Sequence, residues 1–281
     1  MNLSPQQIED LSLTAEFAEG ESLTVEQAIA NLQGQDLGLR FYAAWWLGRF
    51  RVCEPAAVTG LIQALADEAD RTPEGGYPLR RNAARALGKI GDRQAVVPLI
   101  ACLDCLDYYV REAAAQSLEM LGDVDCIPAL GELLKAGLEG EQLKSKQPDL
   151  SQPYDAILEA LGRLKATECI PLVKPFLEHP IEVVQYAAAR AMYQLTQEPS
   201  YAQRLVQALA GDKLQLRRAV LADLGAIGYL PAAEAIAETL AENSLKLISL
   251  KGLLEHQVNH TTASSLSAGA IKVMNLMDSL L

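Results

Sequence analysis

Val110–Leu121 reads VREAAAQSLEML, and its Val110, Ala113, Ala114, Ser117, Leu118 and Leu121 fall at the i, i+3, i+4, i+7, i+8 spacing of one buried helical stripe. The same twelve-residue phrase returns along the chain. Leu79–Ile90 reads LRRNAARALGKI, Leu39–Phe50 LRFYAAWWLGRF, Val184–Leu195 VQYAAARAMYQL and Leu216–Ile227 LRRAVLADLGAI. Pro153–Leu164, PYDAILEALGRL, fits with its proline at the first helical position, where a missing N–H costs little. A weaker copy starts at Leu245. Equivalent positions Leu87 and Leu118, and again Leu161 and Met192, lie ~31 residues apart, a helical-repeat period.

A second helix type runs between the copies, at Ala95–Leu103, Cys126–Leu134, Cys169–Leu177 and Ala232–Leu240. Gly91-Asp92 and Gly122-Asp123 mark turns, with glycine free to adopt positive φ and aspartate able to cap the next helix. Pro98, Pro128, Pro171 and Pro231 fall in first turns, where a donor is not needed. The expected fold is therefore all-α: a right-handed α-α solenoid of about seven HEAT-like helix pairs with a period of ~31 residues. Residues 1–22 are expected to form an N-terminal extension, 23–256 the solenoid, and 257–281 a tail. In that tail Leu266, Ala270, Val273, Met274, Met277 and Leu281 share helical spacing, suiting a capping or partner-docking helix. Two insertions, Asp70–Pro78 and Gly137–Gln152, read as loops.

Composition supports this. Half of the 281 residues are hydrophobic but only 5% are aromatic, a balance suited to close-packed helices. The net charge of −12 argues against nucleic acid as a partner and for proteins or small molecules. Met1–Asp10 lacks a signal-peptide pattern, and no apolar run approaches the ~20 residues of a membrane span, so a cytoplasmic protein is expected. The five cysteines are odd in number and sit in apolar segments, which favours reduced thiols. Cys102 and Cys105 form a lone CxxC best read as structural. His179, His256 and His260 are scattered, so no metal site is expected, and no phosphate-binding loop or nucleophile elbow occurs.

With the buried stripe fixed, the third, seventh and tenth or eleventh positions of each copy should face outward. They hold Phe41, Trp45 and Arg49; Arg81, Arg85 and Lys89; Glu112, Gln116 and Glu119; Asp155, Glu159 and Arg163; Tyr186, Arg190 and Tyr193; and Arg218. This stripe mixes aromatic, basic and acidic groups. It could stack on a flat conjugated ligand and grip its carboxylates and N–H groups, or it could be an inter-repeat salt-bridge network that binds protein. Trp46 should be buried and Trp45 free, while Arg80, Arg81 and Arg85 either serve a ligand or pair with Asp67, Glu68 and Asp70.

Long runs then narrow the choice. YAAWWLGRFR from Tyr42, DEADRTPEGGYPLRRNAARALGK from Asp67, VQYAAARAMYQLT from Val184 and LRRAVLADLGAIGYLPAAEAIAETLAENSLKLISLKGLLEHQ from Leu216 resemble the E-type, or α, subunits of the E/F phycocyanobilin lyases. The resemblance covers about Leu23 to His256. It implies a heterodimer with an F-type subunit, adding a cysteine thiol of the phycocyanin α-subunit across the ethylidene group of phycocyanobilin to give a thioether. Phycocyanobilin is then a substrate, and no permanently bound cofactor is expected. Arg81 and Arg85, or Arg190, would clamp its propionates, with Arg49 also among the bilin-binding residues; Trp45, Tyr186 and Tyr193 would stack on its rings; Glu112, Asp155 or Glu159 would accept from the pyrroles as the catalytic group. The acceptor supplies the nucleophile, so orientation and ring polarisation are what the chain must provide. A non-catalytic scaffold or chaperone for phycobiliprotein subunits, and a subunit of a phycoerythrocyanin lyase-isomerase, are the competing expectations. Thr261 follows Asn259-His260 where the isomerising partner subunits carry Asn-His-Cys, so the resemblance gives this chain no isomerase role.

Overall fold

The computed structural model describes residues 23–139, 152–259 and 266–281, and within them every regular element is helical. The repeats become seven consecutive helix pairs. They are α1 (Val25–Leu32) with α2 (Leu37–Arg49), α3 (Pro55–Ala64) with α4 (Pro78–Ile90), α5 (Val96–Cys102) with α6 (Tyr108–Leu121), and α7 (Ile127–Glu139) with α8 (Tyr154–Arg163). There follow α9 (Ile170–Val173, prolonged by a 3₁₀ turn) with α10 (Glu182–Thr196), α11 (Pro199–Ala208) with α12 (Leu214–Ile227), and α13 (Ala233–Glu238) with α14 (Asn243–Asn259). A last helix, α15 (Ala268–Asp278), packs on α13 and α14. The chain is an α-α solenoid, and its repeat phrase forms one ladder of stacked even-numbered helices.

The ninth position of the phrase is the spine of that ladder. Leu47, Leu87, Leu118, Leu161 and Leu224 are completely buried there and Met192 nearly so. Each contributes roughly 1.5–3 kcal/mol over an exposed side chain. The turns follow the expected chemistry: Gly91 and Gly122 adopt φ of 83° and 66°, and Asp92 and Asp123 accept from the backbone N–H of Gln94 and Asp125.

Spacing along the ladder is set one position later. The tenth residue is glycine in α2, α4, α8 and α12, and each meets a small residue of the next ladder helix. A Cβ on Gly48 would lie 2.6 Å from Ala86 Cα, on Gly88 2.6 Å from Ser117 Cβ, on Gly162 2.8 Å from Ala191 Cα, and on Gly225 3.0 Å from Ser249 Cα. Ser117 and Ser249 turn this approach into a bond, donating to Ala84 O and Leu221 O across the crossing. In α6 and α10 the tenth residue is instead Glu119 or Tyr193, and the steps α6–α8 and α10–α12 are less closely packed. Of the charged contacts described below, Arg190–Asp223 crosses the wider α10–α12 step.

Several local expectations shift. Pro153 is the N-cap of α8 and not its first helical residue. Only Ala270 and Val273 of the tail stripe are buried, while Leu266, Met274 and Leu281 are exposed. Met277 is partly buried against the core together with Leu276 and Leu280. The boundary drawn at 256/257 falls inside α14, which continues to Asn259. The proposed extension 1–22, most of the second insertion, His260 and Thr261 lie outside the described residues. Among those described, no helix is long and apolar enough to cross a membrane.

Candidate functional site

The first half of the ladder face carries a surplus of positive charge. Arg85 on α4 reaches Glu112 on α6 at 3.6 Å, with 43% of the arginine side chain still exposed. One helical turn back, the Arg81 guanidinium lies 5.7 Å from the ring of Tyr109, and its Nε is buried with no hydrogen bond among the described residues. Burial and the neighbouring Arg81 charge lower the Arg85 pKa, the mark of two cations sharing one carboxylate. Trp45 on α2 is 44% exposed, with its ring stacked on Tyr42 at 5.5 Å. Trp46 is partly buried against the core, as the register expected.

The second half reverses the sign. Arg190 on α10 is only 8% exposed and is surrounded by carboxylates: Asp223 of α12 at 3.1 Å, Glu159 of α8 at 3.2 Å and Glu119 of α6 at 3.7 Å. Burial pushes Glu159 up to about 7, assisted by Asp223, Glu119 and Asp155 and opposed by Arg190. Asp223 is raised by burial against the pull of Arg190, and Glu112 by burial and the charge of Asp155. Asp155 joins the two halves, and its Oδ1 is buried without a hydrogen bond among the described residues. The face thus changes from cation-rich to acid-rich over α4 to α12.

Two expected contacts need correction. Arg190 does not project as a free propionate clamp; its guanidinium is inside the ladder and already engaged by three carboxylates. Its seventh position points among Glu119, Glu159 and Asp223 of three other ladder helices, so register alone misjudged its depth. Tyr193 is not an open stacking surface, because it is partly buried and edge-on to Tyr229 at 5.5 Å. Tyr186 is also partly buried against the core. Arg49 is exposed at the end of α2 and makes no ion pair or hydrogen bond among the described residues. The Arg80–Arg81–Arg85 cluster divides: Arg80 pairs with Glu68, donates to Asp67 O at 2.6 Å and covers the Tyr77 ring at 4.0 Å, whereas Arg81 and Arg85 face the ladder surface.

Cys102 is buried and its thiol pushed up to about 11 by burial, which makes it a poor nucleophile. His179 is buried and packs on Phe176 and Tyr154. Among the described residues no group of three or more His, Cys, Asp or Glu is arranged to hold a metal ion. Sequence reasoning missed Asp223. Its signal was an acidic residue at the eighth position, where the other phrases place Trp46, Ala86, Ser117, Ala160 and Ala191. An acid on the buried stripe requires a buried partner.

A helical-repeat solenoid with an arginine pair and a buried acidic knot on one ladder face is the class of protein that this geometry defines. Family models for HEAT repeats match residues 77–141 and 143–225, and one for the PBS lyase HEAT-like repeat matches residues 39–67. The chain belongs to the family of phycocyanobilin lyase α subunits. It is 66% identical to phycocyanobilin lyase subunit alpha of Nostoc sp. PCC 7120 over 93% of this chain and 95% of that one. Identity to the same-named protein of Microchaete diplosiphon is 65%, over 98% and 96%. The bilin biosynthesis protein PecE of Mastigocladus laminosus is 46% identical over 86% of each chain. Among solved structures, the complex of CpcE and CpcF of phycocyanin lyase from Nostoc matches with a TM-score of 0.84 and 65% identity, covering 95% of this chain and 98% of that one.

Proposed function

We propose that this chain is the α subunit of a heterodimeric bilin lyase, working with an F-type subunit to attach phycocyanobilin to a cysteine of the phycocyanin α-subunit through a thioether. The likeness at 66% identity over 93% of the chain carries this reading. The charge reversal along the ladder face supports the placement of the chromophore. A linear tetrapyrrole presents carboxylates on one edge and N–H groups toward its centre. Arg81 and Arg85 suit the propionates, because together they face one carboxylate and retain charge for a ligand. Glu112, Asp155 and Glu159 suit the pyrrole N–H groups, and Trp45 offers an exposed ring for stacking. The thiol comes from the acceptor, so the chain contributes orientation and proton handling. This reading places its action in the cytosol.

The test is reconstitution of the chain with its F-type partner, the bilin and the acceptor, with each omitted in turn. A fluorescent acceptor band that survives denaturation only in the complete mixture supports the lyase. A complete mixture without such a band supports the scaffold or chaperone, and a product shifted toward violet supports the lyase-isomerase.

A further inference from the structure

The knot around Arg190 cannot be balanced as a set of fully ionised groups. One guanidinium meets three carboxylates within 4 Å, and the side chains of Arg190, Asp223, Glu119 and Glu159 are 9%, 9%, 19% and 31% exposed. Asp155, on the same helix as Glu159, adds a fourth negative group to its surroundings. Three carboxylates, one buried and two partly buried, around one cation leave an excess of negative charge that a partly desolvated site relieves by taking up a proton. Hydrogen bonding around the knot is also incomplete: Asp155 Oδ1 is buried and finds no donor, and Arg190 Nε–H finds no acceptor, among the described residues.

We propose that this knot stores a proton at neutral pH, that the proton resides on Glu159, and that Asp223 and Glu119 are the positioning residues that keep it there by competing for Arg190. Glu159 is the most exposed of the three acids and so the one that can pass a proton outward. Asp223 shares the same Arg190 Nη1 and Glu119 engages Nη2, so Glu159 never has the guanidinium to itself. The groups facing Glu159 from other helices are Glu119, Arg190 and Asp223, with Asp155 from its own helix. Its pKa near 7 agrees with this assignment.

The catalytic use of the proton rests on the lyase reading above. There Glu159 delivers its proton to the bilin while the acceptor sulfur bonds to the ethylidene carbon, and the proton released from the thiol restores the carboxyl. One S–H and one C=C bond are consumed, and one C–S and one C–H bond are formed.

Two measurements separate the two claims. Infrared titration of the full-length chain should show a protonated carboxyl band that fades near neutrality, is absent in Glu159→Gln, and fades about one pH unit lower in Asp223→Asn. No such band above about pH 5.5, or the same band in Glu159→Gln, overturns the proton assignment. If Asp223→Asn fails to fold, Glu119→Gln makes the same test, because removal of that acid also gives Glu159 more of Arg190. In the reconstituted reaction the alkaline limb of the attachment rate should move down by the same amount in Asp223→Asn and return in Asp223→Glu. A limb that stays in place overturns the catalytic use and leaves the infrared result standing. A wild-type mixture without product overturns the lyase reading, and the catalytic use with it.

Discussion

Replacing Gly88 with alanine tests the rule that sets the ladder's spacing. The new Cβ would lie 2.6 Å from Ser117 Cβ and 2.8 Å from Ser117 Cα. Ordinary carbon contacts are roughly 3.5–4.0 Å, so the shortfall is about 1 Å. Because one obstacle is backbone, no Ser117 rotamer relieves it, and α4 must move off α6. Overpacking of this kind costs about 1–3 kcal/mol. The shift also breaks the buried Ser117–Ala84 hydrogen bond, worth about 1 kcal/mol. Against this, alanine is a better helix former than glycine by about 1 kcal/mol. The net expectation is a loss of about 2 kcal/mol. Gly131→Ala is the control: it lies in α7 and its Cβ would meet Cys169 Sγ at 3.6 Å, an ordinary contact. It should gain up to about 1 kcal/mol. Urea unfolding followed by circular dichroism measures both. The reasoning fails if the two variants shift the midpoint in the same direction, or if Gly88→Ala is as stable as the parent.

Arg190→Met leaves three clustered carboxylates without their cation and should cost about 3–5 kcal/mol by urea unfolding; a loss below about 1 kcal/mol would contradict the buried knot. Glu159 holds its proton to about pH 7 when folded but only to its ordinary 4.5 when unfolded. The folded state therefore binds more protons between these values, and this group's contribution to stability, complete below about pH 4.5, fades as pH rises through 7. The unfolding midpoint should fall over that interval, and less steeply in Glu159→Gln; equal slopes would refute the shift. Trp45→Ala removes a half-exposed ring, so its stability should stay within about 0.5 kcal/mol of the parent while the KM for bilin rises; a stability loss with unchanged KM would make Trp45 a packing residue.

The fold was legible because a solenoid writes its geometry repeatedly. The ninth-position leucines, the Gly-Asp turns and the first-turn prolines recur in phase, and each reports a local requirement that no distant contact overrides. Arg81, Arg85, Glu112 and Trp45 were legible for the same reason: the phase of one helix determines which residues lie on its surface. Arg190 and Tyr193 were misjudged because depth on the ladder depends on how closely neighbouring helices approach. That approach follows from the tenth residue of each phrase, glycine in the close steps and Glu119 or Tyr193 in the wide ones. Asp223 was hidden on a stripe assigned to packing. Its meaning appears only when Arg190, 33 residues earlier, is brought to it across the α10–α12 step.

The most direct test of a chromophore-handling ladder face is the double variant Arg81→Ala, Arg85→Ala, co-expressed with the F-type partner, the bilin and the phycocyanin α-subunit. The covalently fluorescent acceptor band should fall at least about tenfold, the equivalent of losing one charge-assisted contact of ~1.4 kcal/mol, with helicity and heterodimer formation preserved. An undiminished band would contradict the assignment of the bilin carboxylates to this face.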